Sequence, residues 1–269
     1  MASNTNTLAR HISVHSVEQL SPHLQRVYFA SDDFADFPQN SGGGHIKLFF
    51  PETSQLTPPL PIRNETGKVV WPNGVKPLTR TYTVRDFDQN NQLLVVDFVR
   101  HEDFGVAADW AIHARIGQKL GLAGPGGPER FNAHAEYWIF IGDLSSVPMI
   151  AASLEQLPSD AIGKVWIEID DPKDQIQLFK PEHIDIEWLI NDKEFENKIF
   201  ESFKNLDWSK QNISVSLAGE NGRVVSIRKV LRNEYKIEKR NLYAVPYWKV
   251  GHNEESYHEE RHHVMDDEG

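Results

Sequence analysis

The hydrophobic rhythm of the chain changes once, across Gly124-Pro125-Gly126-Gly127-Pro128, and that break constrains the fold more than any other feature. Before it, the runs 24–29, 45–50, 80–85 and 93–100 are short and rich in Val, Tyr, Phe and Thr. Turn residues bound them, including Asp32-Asp33, Gly42-Gly43-Gly44 and Asp88-Gln89-Asn90-Asn91, so they read as strands. The Pro-rich stretch 51–77 predicts a long surface loop. A helix is expected over 106–114, between Gly105 and Gly117. About six strands with one inserted helix predict a closed or nearly closed antiparallel barrel. After the break, strands at 137–141, 164–169, 187–190 and 213–218 alternate with helices expected near 150–157, 192–203 and from Gly222. That alternation predicts a parallel sheet with crossover helices. The fold class expected is thus β followed by α/β, with domains over 1–130 and 131–269.

Composition narrows the chemistry. The chain contains no cysteine, which excludes disulfides, thiolate zinc sites, cysteine-ligated clusters and thiol nucleophiles. Electron chemistry here needs an organic cofactor or a metal brought in by a substrate. With 28 Lys+Arg against 39 Asp+Glu the formal charge is −11, which argues against nucleic acid as a partner. Apolar runs such as 137–141 and 93–96 are far too short to span a membrane, and residues 1–15 carry no signal-peptide core. A cytoplasmic protein with no membrane partner is expected.

The strongest local signal is Arg80-Thr81-Tyr82-Thr83-Val84-Arg85. On a strand Arg80, Tyr82 and Val84 share one face, and Thr81, Thr83 and Arg85 the other. An aromatic ring, a hydroxyl and a cation within four residues are what a flavin ring, its polar edge and its phosphates need. A plain exposed strand explains the same alternation equally well. The next candidate is Asp97-Phe98-Val99-Arg100-His101, followed by Gly105-Val106-Ala107-Ala108-Asp109-Trp110. There a strand ends, a turn follows, and a helix opens on small residues whose backbone N–H groups a diphosphate can approach. Trp110 on its own reads better as core packing.

In order and spacing these segments resemble the siderophore-interacting protein family, FAD-dependent ferric-siderophore reductases of ferredoxin–NADP reductase-like architecture. The family patterns R-x-Y-T, F-V-x-H and G-P-A-x-x-W correspond to Arg80–Thr83, Phe98–His101 and Gly105–Trp110, with Val106 where the family usually has Pro. The likeness continues at Gly142-Asp143-Leu144-Ser145-Ser146-Val147-Pro148, at Ala218-Gly219-Glu220, and at Tyr247-Trp248-Lys249-Val250-Gly251, where Lys249 replaces a more usual Arg. The resemblance implies an FAD site built from Arg80, Thr81, Tyr82, Thr83, Asp97, Phe98, Val99, His101, Gly105, Val106, Ala107 and Trp110. Within it Arg80, Tyr82 and Thr83 hold ring and phosphates, Asp97, Val99 and His101 line the ribityl-to-adenosine stretch, and residues 105–107 donate to the diphosphate.

For the second domain the resemblance implies a nicotinamide site at Gly142, Asp143, Ser145, Ser146, Gly219 and Glu220. An ordinary strand–turn–helix capped by Asp143 or Ser145 fits those residues as well. Asp170 and Asp171 close the next strand; carboxylates there repel a 2′-phosphate and lean toward NADH, although a solvated acidic turn accounts for them too. In the acidic tail from Glu254, His258 and His262 stand four apart, a spacing that suits a metal, yet a solvated helix explains it better and no metal site is expected.

The activity implied is reduction of Fe(III) in a siderophore to Fe(II), with FAD as cofactor and NAD(P)H as co-substrate. Two rivals stand beside it: a reduced ferredoxin as the donor, and a carrier that binds ferric chelates without reducing them. Because an anionic chelate is repelled by a chain at −11, a local basic pocket is required. Lys47, Arg85, Arg100 and Lys249 are the candidates, with Trp248 shaping the opening.

Overall fold

A computed structural model describes residues 9–52, 57–100, 105–192, 194–208, 212–252 and 257. The chain divides into two compact units, Met1–Gly127 and Pro128–Gly269.

The first unit carries β1 (Arg10–Ser21), β2 (Leu24–Ala30), β3 (His45–Phe50), the short pair β4 (Ile62–Arg63) and β5 (Val69–Val70), then β6 (Leu78–Thr83), β7 (Asp86–Asp88), β8 (Leu93–Val99), α1 (Val106–Ile112) and β9 (Lys119–Gly126). Its main sheet is hydrogen-bonded in the order β6-β3-β9-β1-β2-β8-β7. The two ends of that row are consecutive in the chain. Val84 exchanges bonds with Gly43 and Gly44 beside β3, at 2.7 and 2.8 Å, while the Arg85 N–H donates to the Val95 carbonyl of β8 at 2.9 Å. One bent strand therefore changes partner at 84–85, and the row closes into a barrel. Alternate positions fill it, with Ile12, Phe29, Leu48, Val96 and Leu122 all at 2 % exposure or less. Helix α1 adds Ala107 and Ala111 to this core, and Trp110 stacks on Phe29 at 6.1 Å. Trp110 is thus a packing residue.

Two strands of the barrel run against their local sequence. In β1 the inward place beside Ile12 belongs to Arg10, 7 % exposed, whose guanidinium bonds the Asp36 carboxylate at 2.7 Å and the Asp33 carbonyl. β9 ends inside the Gly-Pro run that looks like a linker. Its Gly121 is needed because a Cβ there would come within 2.7 Å of Phe49 and Leu60. The expected loop over 51–77 contains the β4–β5 hairpin, and Trp71 meets Phe49 edge-on at 5.2 Å.

The second unit carries β10 (Tyr137–Asp143), α2 (Val147–Leu154), β11 (Gly163–Ile169), β12 (Ile184–Ile190), α3 (Phe195–Lys204), β13 (Ile213–Glu220), α4 (Asn221–Asn233) and β14 (Leu242–Trp248). All five strands are parallel, in the order β12-β11-β10-β13-β14. Near-continuous apolar strands such as β10 are what a sheet covered on both faces requires. β14 contains Pro246 and is an edge strand, the place in a sheet where proline is tolerated. Helix α3 buries Phe195, Ile199 and Phe203, one stripe at i, i+4 and i+8. The order reverses between β10 and β13, the first and fourth strands of this sheet. Open α/β sheets bind ligands beyond the carboxyl ends of the strands at such a reversal.

Candidate functional site

In the barrel, the motif strand β6 pairs with β3 so that Lys47 faces Thr81, Ile46 faces Tyr82 and His45 faces Thr83. Leu78 and Tyr82 pack against the barrel core, which by alternation puts Arg80 and Val84 on the core side and Thr81, Thr83 and Arg85 on the outer wall. The Tyr82 ring tilts against Phe98 at 4.4 Å and remains half-buried. Thr83 is 6 % exposed. Lys47 is exposed on the outer wall that also carries Arg85, whereas Arg100 follows Phe98 on the opposite side.

Asp97 and Phe98 are engaged within the barrel. Asp97 accepts from Arg26 Nε at 2.7 Å and Nη2 at 2.9 Å, a bidentate pair across the β2–β8 register with the aspartate side chain 1 % exposed. Burial works against the Arg26 charge, and Asp97 more than restores it, holding that pKa above its ordinary value. Phe98 is fully buried in the barrel. Val99 ends β8, half-buried, and His101 lies outside the described residues, as do His258, His262 and His263.

Arg100 and α1 differ in kind. The Arg100 Nε is buried with no hydrogen-bond partner, which costs free energy that an anion can recover. Helix α1 opens after Gly105, which as N-cap brings no side chain to its first amides. An unpaired guanidinium nitrogen and uncapped helix amides a few residues apart fit a diphosphate.

The sheet edge is built the opposite way. Asp143, at the end of β10, accepts four hydrogen bonds: Ser145 N–H at 2.9 Å, Ser145 Oγ at 2.5 Å, Glu220 N–H at 2.8 Å and Trp248 Nε1 at 2.7 Å. Burial pushes its carboxyl above the ordinary value, and the hydrogen bonds only partly offset that. Ser146 is fully buried and donates to the Asp143 carbonyl at 2.7 Å. Gly142 leaves room for it, since a Cβ would lie 1.9 Å from Ser146 Oγ. Gly219, at φ +139°, leaves room for Asp143, whose Oδ2 a Cβ would approach to 2.5 Å. Glu220 closes the start of α4, its Oε2 accepting from Gly222 N–H at 2.5 Å and Arg223 N–H at 3.2 Å. Its Oε1 accepts from Val250 N–H at 3.4 Å.

Gly142, Asp143, Ser145, Ser146, Gly219, Glu220 and Trp248 therefore converge, but on one another. A small recess among them is lined by Asp143, Glu168, Glu220 and Arg223 over apolar side chains. Glu168 and Arg223 escape a motif search. The available signal is a glutamate within the buried run Val165–Ile169, 7 % exposed, which needs a cation. That cation is Arg223, at 2.9 Å from Glu168 and 3.1 Å from Glu196. Burial raises the Glu168 pKa, with Arg223 opposing it.

Comparison with known proteins points one way along the whole chain. The profile of the siderophore-interacting FAD-binding domain matches residues 13–129, and that of siderophore-interacting protein matches 135–251. The ferric vibriobactin reductase ViuB of Vibrio cholerae serotype O1 is 43% identical over 252 residues, covering 93% of this chain and 92% of that protein. An NADPH-dependent ferric-chelate reductase of Escherichia coli K12 is 32% identical over 188 residues, 69% of this chain and 72% of that protein. The crystal structure of the siderophore-interacting protein SipS from Aeromonas hydrophila matches with a TM-score of 0.81 at 31% identity, covering 96% of this chain and 98% of that one.

Proposed function

This chain belongs to the siderophore-interacting protein family, and from that premise we propose that it is an FAD-dependent ferric-siderophore reductase with NAD(P)H as electron donor. The observation that carries the reading is the end-to-end likeness to a ferric vibriobactin reductase. When bound, FAD would supply a hydride acceptor for the nicotinamide and a one-electron donor for Fe(III), and hard oxygen ligands of a siderophore hold Fe(II) far less tightly than Fe(III).

The chain's own residues supply position and charge. Arg100 Nε, lacking a partner, and the N–H groups of Val106 and Ala107 would receive the cofactor's diphosphate. Tyr82 would offer an aromatic face, with Arg80 and Thr83 for the polar groups of the flavin. Lys47 and Arg85, in the barrel wall, would attract an anionic ferric chelate. The reading places the protein in the cytoplasm, where NAD(P)H is regenerated.

A reduced ferredoxin as donor is the second reading. It is favoured by the sheet edge, where Asp143 already takes the Ser145 N–H of the turn before α2 and Glu220 caps α4. Anaerobic stopped-flow separates the two. The protein should be yellow, with a flavin band near about 450 nm that NADH or NADPH bleaches and a ferric siderophore restores as Fe(II) appears. A colourless protein, or a bleached flavin that no ferric chelate reoxidises, overturns the proposal. Bleaching by reduced ferredoxin alone selects the second reading.

A further inference from the structure

Resting on the NAD(P)H reading, we propose that this chain selects NADH over NADPH and that the carboxylates closing β11 are its specificity-determining residues. The fold does not dictate this choice, since one relative is an NADPH-dependent ferric-chelate reductase. The side chains at the edge do.

In doubly wound sheets the adenosine ribose sits at the end of the second strand from the reversal. A carboxylate there accepts from a free 2′-hydroxyl, and an arginine there accommodates a 2′-phosphate. β11 is that second strand. The stretch from Glu168 onward reads Glu-Ile-Asp-Asp-Pro-Lys-Asp, so Lys173 is a single cation among four carboxylates. The Asp171 carboxylate is held by the Lys173 N–H at 2.9 Å. Exposed Asp170 is held by the Asn191 side-chain amide at 2.9 Å, which leaves its other oxygen available to a hydroxyl.

The guanidinium at this edge is already committed. Arg223 bonds Glu168 at 2.9 Å and Glu196 at 3.1 Å, and its Nη2 also donates to the Asp192 carbonyl at 3.2 Å. Releasing it for a phosphate would strand Glu168, which is 7 % exposed. Of the backbone donors at this edge, the Ser145 N–H already goes to Asp143, and the Gly222 and Arg223 N–H groups go to Glu220. A 2′-phosphate would bring close to two further negative charges to this edge, whereas a ribose diol brings none.

Isothermal titration of the FAD-loaded chain with tetrahydro-NAD and tetrahydro-NADP, which cannot give up hydride, reads this preference without turnover. Tetrahydro-NAD should bind about tenfold more tightly, the effect of one or two carboxylates about 4 Å away in water. Asp170→Arg should erase or reverse the ratio. Equal or tighter binding of tetrahydro-NADP overturns the proposal, as does an unchanged ratio in Asp170→Arg or the binding of neither analogue. Stopped-flow bleaching run alongside separates its failure from that of the parent reading. Bleaching by NADPH as readily as by NADH removes the selectivity alone, while bleaching by neither removes the NAD(P)H donor itself.

Discussion

The barrel and the sheet edge treat the same polar groups in opposite ways. At the barrel, α1 opens on Gly105, which has no capping side chain, and Arg100 Nε is buried without a partner among the described residues. At the sheet, Asp143 takes the Ser145 N–H of the turn leading into α2, Glu220 caps α4, and Arg223 is divided between two carboxylates. A buried donor left unpaired costs about 1–3 kcal/mol, so a folded chain keeps one where a ligand completes it. A resident cofactor fits the first arrangement. The second arrangement offers phosphates no ready-made grip.

The contrast can be broken experimentally, because groups spent internally should carry stability and unspent groups should carry ligand. The largest effect is expected for Asp97→Ala. It strands the Arg26 guanidinium, only 19 % exposed, and should cost about 3 kcal/mol in urea unfolding. A loss below about 1 kcal/mol would show that the pair is not structural. Arg100→Gln should weaken FAD about tenfold or more, the value of one charged hydrogen bond, while leaving the stability of the flavin-free protein unchanged. Lower stability with unchanged flavin affinity would place Arg100 among the spent groups. Glu220→Ser keeps a helix cap but removes the charge. It should cost under about 1 kcal/mol and lower the KM for NADH; a higher KM would mean that Glu220 serves the nucleotide.

The smallest effect concerns pH. Burial holds the Asp143 carboxyl above its ordinary 3.8. A raised folded pKa favours the native state fully below the unfolded value, and that contribution is lost as pH rises through the folded pKa. The stability advantage of the wild type over Asp143→Asn should therefore shrink as pH climbs from about 4 toward neutrality. A widening gap in urea titrations would mean that the four hydrogen bonds outweigh burial.

Much of the architecture was legible from local pattern. Short runs rich in Val, Tyr, Phe and Thr between turn residues located β2, β3, β6 and β8, and the change of rhythm near Gly124 marked the passage to alternating strands and helices. β1, β9 and β14 were not legible, each for its own reason. Arg10 occupies an inward position in β1 that only Asp36 makes tolerable. β9 carries glycines whose worth lies in what they avoid touching. β14 contains a proline that only an edge strand accepts. At the candidate site, the motif residues were identifiable as types but not as tasks. Nothing local to Asp97 announces that Arg26 stands beside it.

The sequence by itself determined which residue types recur at which spacing, and so the fold class, the family and the absence of any thiol chemistry. Only the tertiary structure decided which charges are spent. Arg26 and Asp97 are 71 residues apart, and Asp143 and Trp248 are 105 apart. Whether a buried carboxylate is a binding group or a fold-holding one depends on a partner within about 3 Å, a distance that no local pattern encodes.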